Sequence, residues 1–264
     1  FMVGIFEYLF MPGRTTEREK KLAKLIHVYQ EVFDAATGAT KMTFPTTRTI
    51  TVDRTIKEGN PIHTYDQVQT YIDKYDTISV SACFCRQIAK LRDEDIHGMP
   101  MEVCMFFGEN AEFAIDRLEA RKLSKDEARE VLDQAEEAGL VHMTRNTTED
   151  IGFLCNCDRW HCEPMTKNIL QQAKPAQFWN SGFEPCFDPD LCVACEKCIE
   201  RCPPYALVMG EDDVPKVDLD RCFGCGVCAT GCPSETILMK TKKDFPVPPE
   251  DAKELVSAVK AIMA

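Results

Sequence analysis

Apolar positions recur at helical spacing in four stretches of the chain. The first opens at Thr16-Glu-Arg-Glu19, where hydroxyl and carboxylate can each satisfy the other residue's backbone N–H. The spacing predicts a helix from there to about Ala36, stopped by Gly38, with Leu22, Leu25, Ile26, Tyr29 and Phe33 as its apolar stripe. A second helix is expected over Asn110–Lys122, with Phe113, Ala114, Arg117 and Leu118 at its contact. A third runs over Lys125–Ala138, started by the capping box Ser124-Lys-Asp-Glu127 and stopped by Gly139. The last begins at Pro249 and reaches Met263, with Leu255, Val256, Val259 and Ile262 on one side. Stripes of this kind build core, and no chemistry is assigned to them.

Period-two alternation marks strands at Thr77–Ala82, Leu140–Met143 and Ile151–Leu154. Farther on, Ala206–Met209 and Pro215–Asp218 flank the acidic turn Glu211–Asp213, and Thr236–Lys240 reads as a matching strand. Helices and short strands mixed in this order predict an α+β fold.

The chain has 264 residues, 44% of them hydrophobic and 28% charged, with a formal charge of −12. That acidity disfavours nucleic acid or an anionic membrane as main partner. No apolar run approaches the ~20 residues of a membrane helix. The apolar Phe1–Phe10 is broken by Glu7 and followed by no cleavage signal, so neither a signal peptide nor a span is expected. Glycine is too sparse for a phosphate cradle, and no dinucleotide fingerprint or acid–base constellation is visible.

Cysteine changes the picture. There are 15, an odd number that does not suit a secreted disulfide scaffold. Their clustering points instead to metal binding in a reducing, cytoplasmic setting. Cys192, Cys195, Cys198 and Cys202 follow C-x2-C-x2-C-x3-C, with Pro203 next; Cys222, Cys225, Cys228 and Cys232 repeat it, with Pro233 next. This is the run that holds two [4Fe–4S] clusters in bacterial ferredoxins, the fourth cysteine of each copy serving the other cluster. One cluster is therefore expected on Cys192, Cys195, Cys198 and Cys232, the second on Cys222, Cys225, Cys228 and Cys202. Gly224 and Gly226 flank Cys225, where backbone must bend tightly; the first copy has Ala194 and Glu196 there. From Gly182 to Thr241, eleven acids face five bases, a surface able to steer onto a basic partner.

Six more cysteines precede this run: Cys83, Cys85, Cys104, Cys155, Cys157 and Cys162. Two strand ends would deliver Cys83 with Cys85 and Cys155 with Cys157, and a loop would deliver Cys104. A third [4Fe–4S] cluster on four of the six, a zinc ion, and a set of packed free thiols are the three readings. Arg86 is placed to donate toward such a site or to pair with Asp158 or Glu102, His161 is a further candidate ligand, and Cys186 is assigned to packing.

The series Cys83-Phe-Cys-Arg86, Glu102-Val-Cys-Met-Phe-Phe-Gly-Glu109, Ile115 through Glu137-Ala-Gly-Leu-Val-His142, and Phe153-Leu-Cys-Asn-Cys157, followed by the double run, resembles a family of cytosolic 4Fe–4S ferredoxin-domain proteins of anaerobic bacteria and archaea. The likeness spans roughly Gly4 to Lys240. Members often carry a denser cysteine cluster where this chain has Asp158-Arg-Trp-His161 before Cys162, and longer members have a winged-helix-like segment ahead of Gly4-Ile-Phe-Glu7. The resemblance implies an electron-transfer protein, or a subunit working with a larger oxidoreductase, and the missing cofactor and acid–base motifs predict no substrate site of its own. A redox-sensing regulator using the cysteine-rich domain is the alternative. The expected layout is a helical segment and linker over 1–60, a cysteine-rich α/β domain over 61–180, a ferredoxin-like module over 181–242, and a C-terminal helix over 243–264.

Overall fold

A computed structural model describes residues 11, 13–37, 44–60, 63, 66–243 and 245–263. The expected helix stop at Gly38 and the apolar Phe1–Phe10 lie outside them, as do the side chains of Phe33 and Ile262.

Six strands form one antiparallel sheet in the order β1-β5-β6-β3-β2-β4. They are β1 Thr47–Thr49, β2 Ile78–Ala82, β3 Glu102–Phe107, β4 Arg121–Leu123, β5 Val141–Arg145 and β6 Phe153–Cys157. Helices α2 (Val68–Lys74) and α5 (Lys125–Glu137) contribute Tyr71, Ile72, Leu132 and Ala135 to a buried core shared with Ile78, Val80 and Val103. Helix α5 starts at the expected box: Ser124 Oγ accepts from Glu127 N, and the Glu127 side chain accepts from Ser124 N. Among the described residues, no helix is long and apolar enough to cross a membrane.

Three expectations need correction. Helix α1 (Glu17–Thr37) begins where Glu19 caps Thr16, but among the described residues its buried apolar contact is made by Leu22, Ala23 and Ile26 against Ile88 and Leu91. Leu25 and Tyr29 consequently face outward. Helix α4 spans Glu109–Arg117 and goes no further. Glu119 takes a left-handed φ of 55°, and the residues expected in a fourth turn become β4, paired with β2. Sheet pairing overrides helical spacing there, and Phe113 is exposed while Ala111, Ala114 and Leu118 are buried. The last helix, α8, spans Ala252–Met263, with Leu255 buried and Val256 exposed.

The carboxyl part pairs β7 (Phe183–Phe187) with β10 (Ile237–Thr241) and β8 (Leu207–Met209) with β9 (Pro215–Val217). Two one-turn helices, α6 (Lys197–Arg201) and α7 (Val227–Thr230), lie beside each other. The segment after β1 fastens this unit to the sheet. Thr49 Oγ1 donates to Phe223 O at 2.8 Å, the Thr51 and Ser181 hydroxyls both meet Gly224 O, and Val52 N donates to Cys225 O. From the other side, the Arg201 guanidinium donates to Glu136 O and Glu137 O at the end of α5.

Asp53 sits at this junction, in a single 3-10 turn. Burial pushes its carboxyl up to about 6, against the pull of the Gln69 N–H and of His142. Its Oδ1 has no hydrogen-bond partner among the described residues. The folded-state value lies above the unfolded one, so the folded chain holds the extra proton and loses stability as pH rises from about 4 through 6. Asp53→Asn should therefore stabilise the protein by about 1–3 kcal/mol at pH 7 and by about half as much at pH 5. Thermal melts at the two pH values check this, and a gain independent of pH would refute it.

Candidate metal centres

The two carboxyl-terminal cysteine loops share one backbone course. Ala194 and Gly224 take φ of 51° and 68°; Glu196 and Gly226, the residues before α6 and α7, take 60° and 79°. Ile199 N bonds to Glu196 O as Ala229 N does to Gly226 O, and Cys202 N to Ile199 O as Cys232 N does to Ala229 O. The first loop thus holds the left-handed conformation with side chains where the second uses glycine. The reason is their surroundings. Residues 223–228 are buried throughout, whereas of residues 193–198 only Cys198 is. A methyl on Gly224 would stand 2.3 Å from Phe183 O, and one on Gly226 2.8 Å from Thr55 Oγ1.

These folds gather the thiols in two sets. Cys192, Cys195, Cys198 and Cys232 line one small pocket, together with Phe187, Pro215 and Ile237. Cys202 does not line that pocket and lies within electrostatic reach of Cys222, Cys225 and Cys228, as well as of Cys198. Burial pushes the Cys202 thiol up to about 11 and Cys225 and Cys228 further still. Partial burial also opposes charge on Cys232, but hydrogen bonds from Thr236 and Ser234 outweigh it and leave the thiol below its ordinary value. The Ala206 N–H points at Cys202 Sγ from 3.2 Å, a contact of the kind that stabilises sulfur charge. Cys186 lies on β7 opposite Leu238 and lines neither this pocket nor the cavity below.

The six earlier cysteines also come together. Cys83 is the residue before helix α3 (Phe84–Leu91), and Cys85 lies in its first turn. Cys104 is on β3 rather than in a loop, and Cys155 and Cys157 are within β6 rather than beyond its end. Alternate strand residues share a face, so β6 presents both thiols to the side on which Cys104 also stands. Side-chain contacts run from Cys85 to Cys83, Cys104, Cys155, Cys157 and Cys162, and Cys162 returns within reach of Cys85. Around this ring, hydrogen bonds from their neighbours hold Cys83 and Cys155 well below the ordinary thiol value. As donors in the same bonds, Cys85, Cys104 and Cys157 are pushed well above it. All six line a cavity of about 580 Å³.

Arg86 closes the base of the ring. It is fully buried and donates from Nε to Asp158 Oδ2 at 2.7 Å, from Nη1 to Pro100 O and from Nη2 to Asn156 O. Of the partners weighed from sequence, Asp158 is the one it takes. Its positive charge acts on Cys83, Cys104 and Cys155. Asp158 Oδ1 accepts from Trp160 N and His161 N. Both His161 ring nitrogens are engaged, one with Asp158 Oδ1 and one with Asp95 O. Between the two β6 cysteines, Asn156 faces the other way, donating to Val103 O and meeting His142 Nδ1 at 2.6 Å.

A buried apolar wall joins the two halves. It runs from Cys157 and Cys162 through Met165, Trp179 and Phe223 to Cys225. Nothing in the sequence marks Trp179 and Phe223 as this wall; their pairing, with rings 5.6 Å apart, depends on the docking of the two units.

Among the described residues, no group of three or more His, Cys, Asp or Glu side chains converges to hold a single metal ion. A zinc ion needs four donors about 2–2.3 Å from one point. Thiols spaced around a cavity fit a group of several atoms, and soft thiolates are the donors iron–sulfur clusters take. A family model for a 4Fe–4S dicluster domain matches residues 191–236. No curated protein matches the chain. The carboxyl part is accordingly a ferredoxin-like iron–sulfur domain, of the type that serves electron transfer.

Proposed function

We propose that the chain relays single electrons to or from a partner oxidoreductase of anaerobic metabolism, as a cytoplasmic protein or as a subunit of the complex, using three [4Fe–4S] clusters. Cys192, Cys195, Cys198 and Cys232 would hold one, Cys222, Cys225, Cys228 and Cys202 the second, and four of Cys83, Cys85, Cys104, Cys155, Cys157 and Cys162 the third. When bound, such groups supply one-electron transfer without proton bookkeeping.

The observation that carries this reading is the apolar wall from Cys157 and Cys162 to Cys225, which joins the six-thiol ring to the second loop through side chains buried from water. The protein's own residues do three things here. Arg86 sets a fixed positive charge beside thiolates that would otherwise be costly to bury. Trp179 and Phe223 exclude water between the two sites. The first loop keeps Cys195 exposed, where a partner can approach. Acids on and near it, among them Asp190, Glu196 and Asp213, suit a basic partner surface.

Iron and acid-labile sulfide per chain, with zinc in the same anaerobic sample, test the proposal. It requires about twelve of each. About eight would leave the ring without a cluster, and about eight with one zinc would make the ring structural. Cys155→Ser is expected to lower iron by about four while leaving the carboxyl-terminal centres loaded.

A further inference from the structure

The cavity of the six-thiol ring is much larger than a cluster site in this protein needs. By the same measure, the pocket of Cys192, Cys195, Cys198 and Cys232 holds about 20 Å³ and the ring cavity about 580 Å³. The larger value falls within the ~300–1,000 Å³ of small-molecule sites. Part of its wall carries no cysteine at all. The cavity's lining also includes the apolar Phe106, Phe113 and Leu118 and the basic Arg92 and Lys167.

Arg92 is the unusual group. Its side chain is 13% exposed, and Nη2 pairs with Glu94 at 2.8 Å. Its Nε and Nη1 are buried and have no hydrogen-bond partner among the described residues. The Glu163 carboxylate stands 3.9 Å from Nη1, beyond hydrogen-bond reach. Glu163 is also shared, since Lys167 Nζ lies 3.4 Å from its other oxygen and 3.1 Å from His27 Nδ1. Of the cations lining the cavity, Arg86 is matched by Asp158 and Lys167 by Glu163, while Arg92 is matched by Glu94 through Nη2 alone, which leaves its Nε and Nη1 without acceptors among the described residues. An apolar chamber with two unmatched guanidinium N–H donors on its wall suits an organic anion. Buried guanidinium donors left unmatched cost stability unless a ligand meets them.

We propose that this chamber binds a small organic acid beside the thiol ring, with its carboxylate on Arg92 and its apolar body along Phe106, Phe113 and Leu118. This goes beyond the relay and departs from the expectation that the chain has no substrate site of its own. The binding step needs no cluster, so the two readings fail separately.

Calorimetric titration of the anaerobically purified full chain with sodium benzoate, with iron assayed on the same sample, tests it. Benzamide, a neutral molecule of the same shape, is the control. Benzoate should bind saturably at one site, at least about tenfold more tightly than benzamide. Arg92→Gln should lower benzoate affinity by at least about tenfold with iron unchanged. Leu118→Trp, which fills the chamber and keeps the arginine, should do the same; with the benzamide control it decides the matter if Arg92→Gln fails to fold. No saturable binding of benzoate, equal binding of benzamide, or undiminished binding in a folded Arg92→Gln variant overturns the inference. About eight iron with benzoate binding intact supports it and overturns the third cluster instead.

Discussion

Gly224→Ala should cost about 2–5 kcal/mol and strip the second loop of its iron, a loss of about four per chain. Two effects add. The residue has a φ of 68°, where any Cβ is strained, and the added methyl would meet Phe183 O at 2.3 Å and Ser181 Oγ at 2.4 Å. The first neighbour is backbone in β7 and cannot swing aside. Relief requires moving the loop away from the strand, and with it Cys222 and Cys225. The matching change in the first loop, Ala194→Gly, should do the reverse. It relieves a side chain held at a φ of 51° and is expected to be neutral or stabilising by up to about 1 kcal/mol. Thermal melts and iron content on the two variants give the comparison. Equal effects at the two positions would mean that the loop conformation itself, rather than the surface behind it, sets the requirement.

Arg86→Met should be at least as damaging, at about 3–5 kcal/mol, because it leaves the Asp158 carboxylate buried without its cation. It also opens the backbone acceptors Pro100 O and Asn156 O and removes the positive charge beside Cys83, Cys104 and Cys155. On the proposal of a third cluster, iron at the six-thiol ring is expected to fall with stability. Combining it with Asp158→Asn should recover part of the loss, since an amide oxygen still accepts from Trp160 N and His161 N without carrying charge. Denaturant melts of the two single variants and the double variant measure the coupling. A cost below about 1 kcal/mol for Arg86→Met would place the pair in the class of solvated ion pairs and remove the argument for a fixed charge at the ring.

What the sequence disclosed was what local spacing controls. The cysteine runs, the Ser124 capping box and the strands around Val80 and Val208 each depend on neighbours a few residues away, and they appear close to where periodicity puts them. What it hid depends on distant partners. Strand β7 contains Pro185 and Cys186 and looks like no strand until β10 pairs with it. Arg121–Leu123 has a helical pattern, and only β2 makes it a strand. Leu25 sits at apolar spacing yet faces outward, because the surface that would cover it is taken up by Leu22, Ala23 and Ile26, and Phe113 is left exposed at the large cavity while Ala111 and Ala114 are buried. The cysteines of the middle region, Cys104 among them, are visible as donors, but that Cys104 comes from a strand paired with β6 rather than from a loop is not. Arg92 carried no signal at all, since its unmatched donors exist only against the walls of the finished cavity.

The contrast between the two cysteine loops bears on how such a duplicated segment ages. One copy faces outward and tolerates alanine and glutamate in left-handed positions, so it is free to drift and acquire new surface contacts. The other is walled in from behind by Phe183, Ser181 and Thr55, and its glycines record that confinement rather than any demand of the metal. A glycine at these two places is in that sense a fossil of docking, from which the copy that was sealed against the rest of the molecule can be told from the copy left to meet the outside.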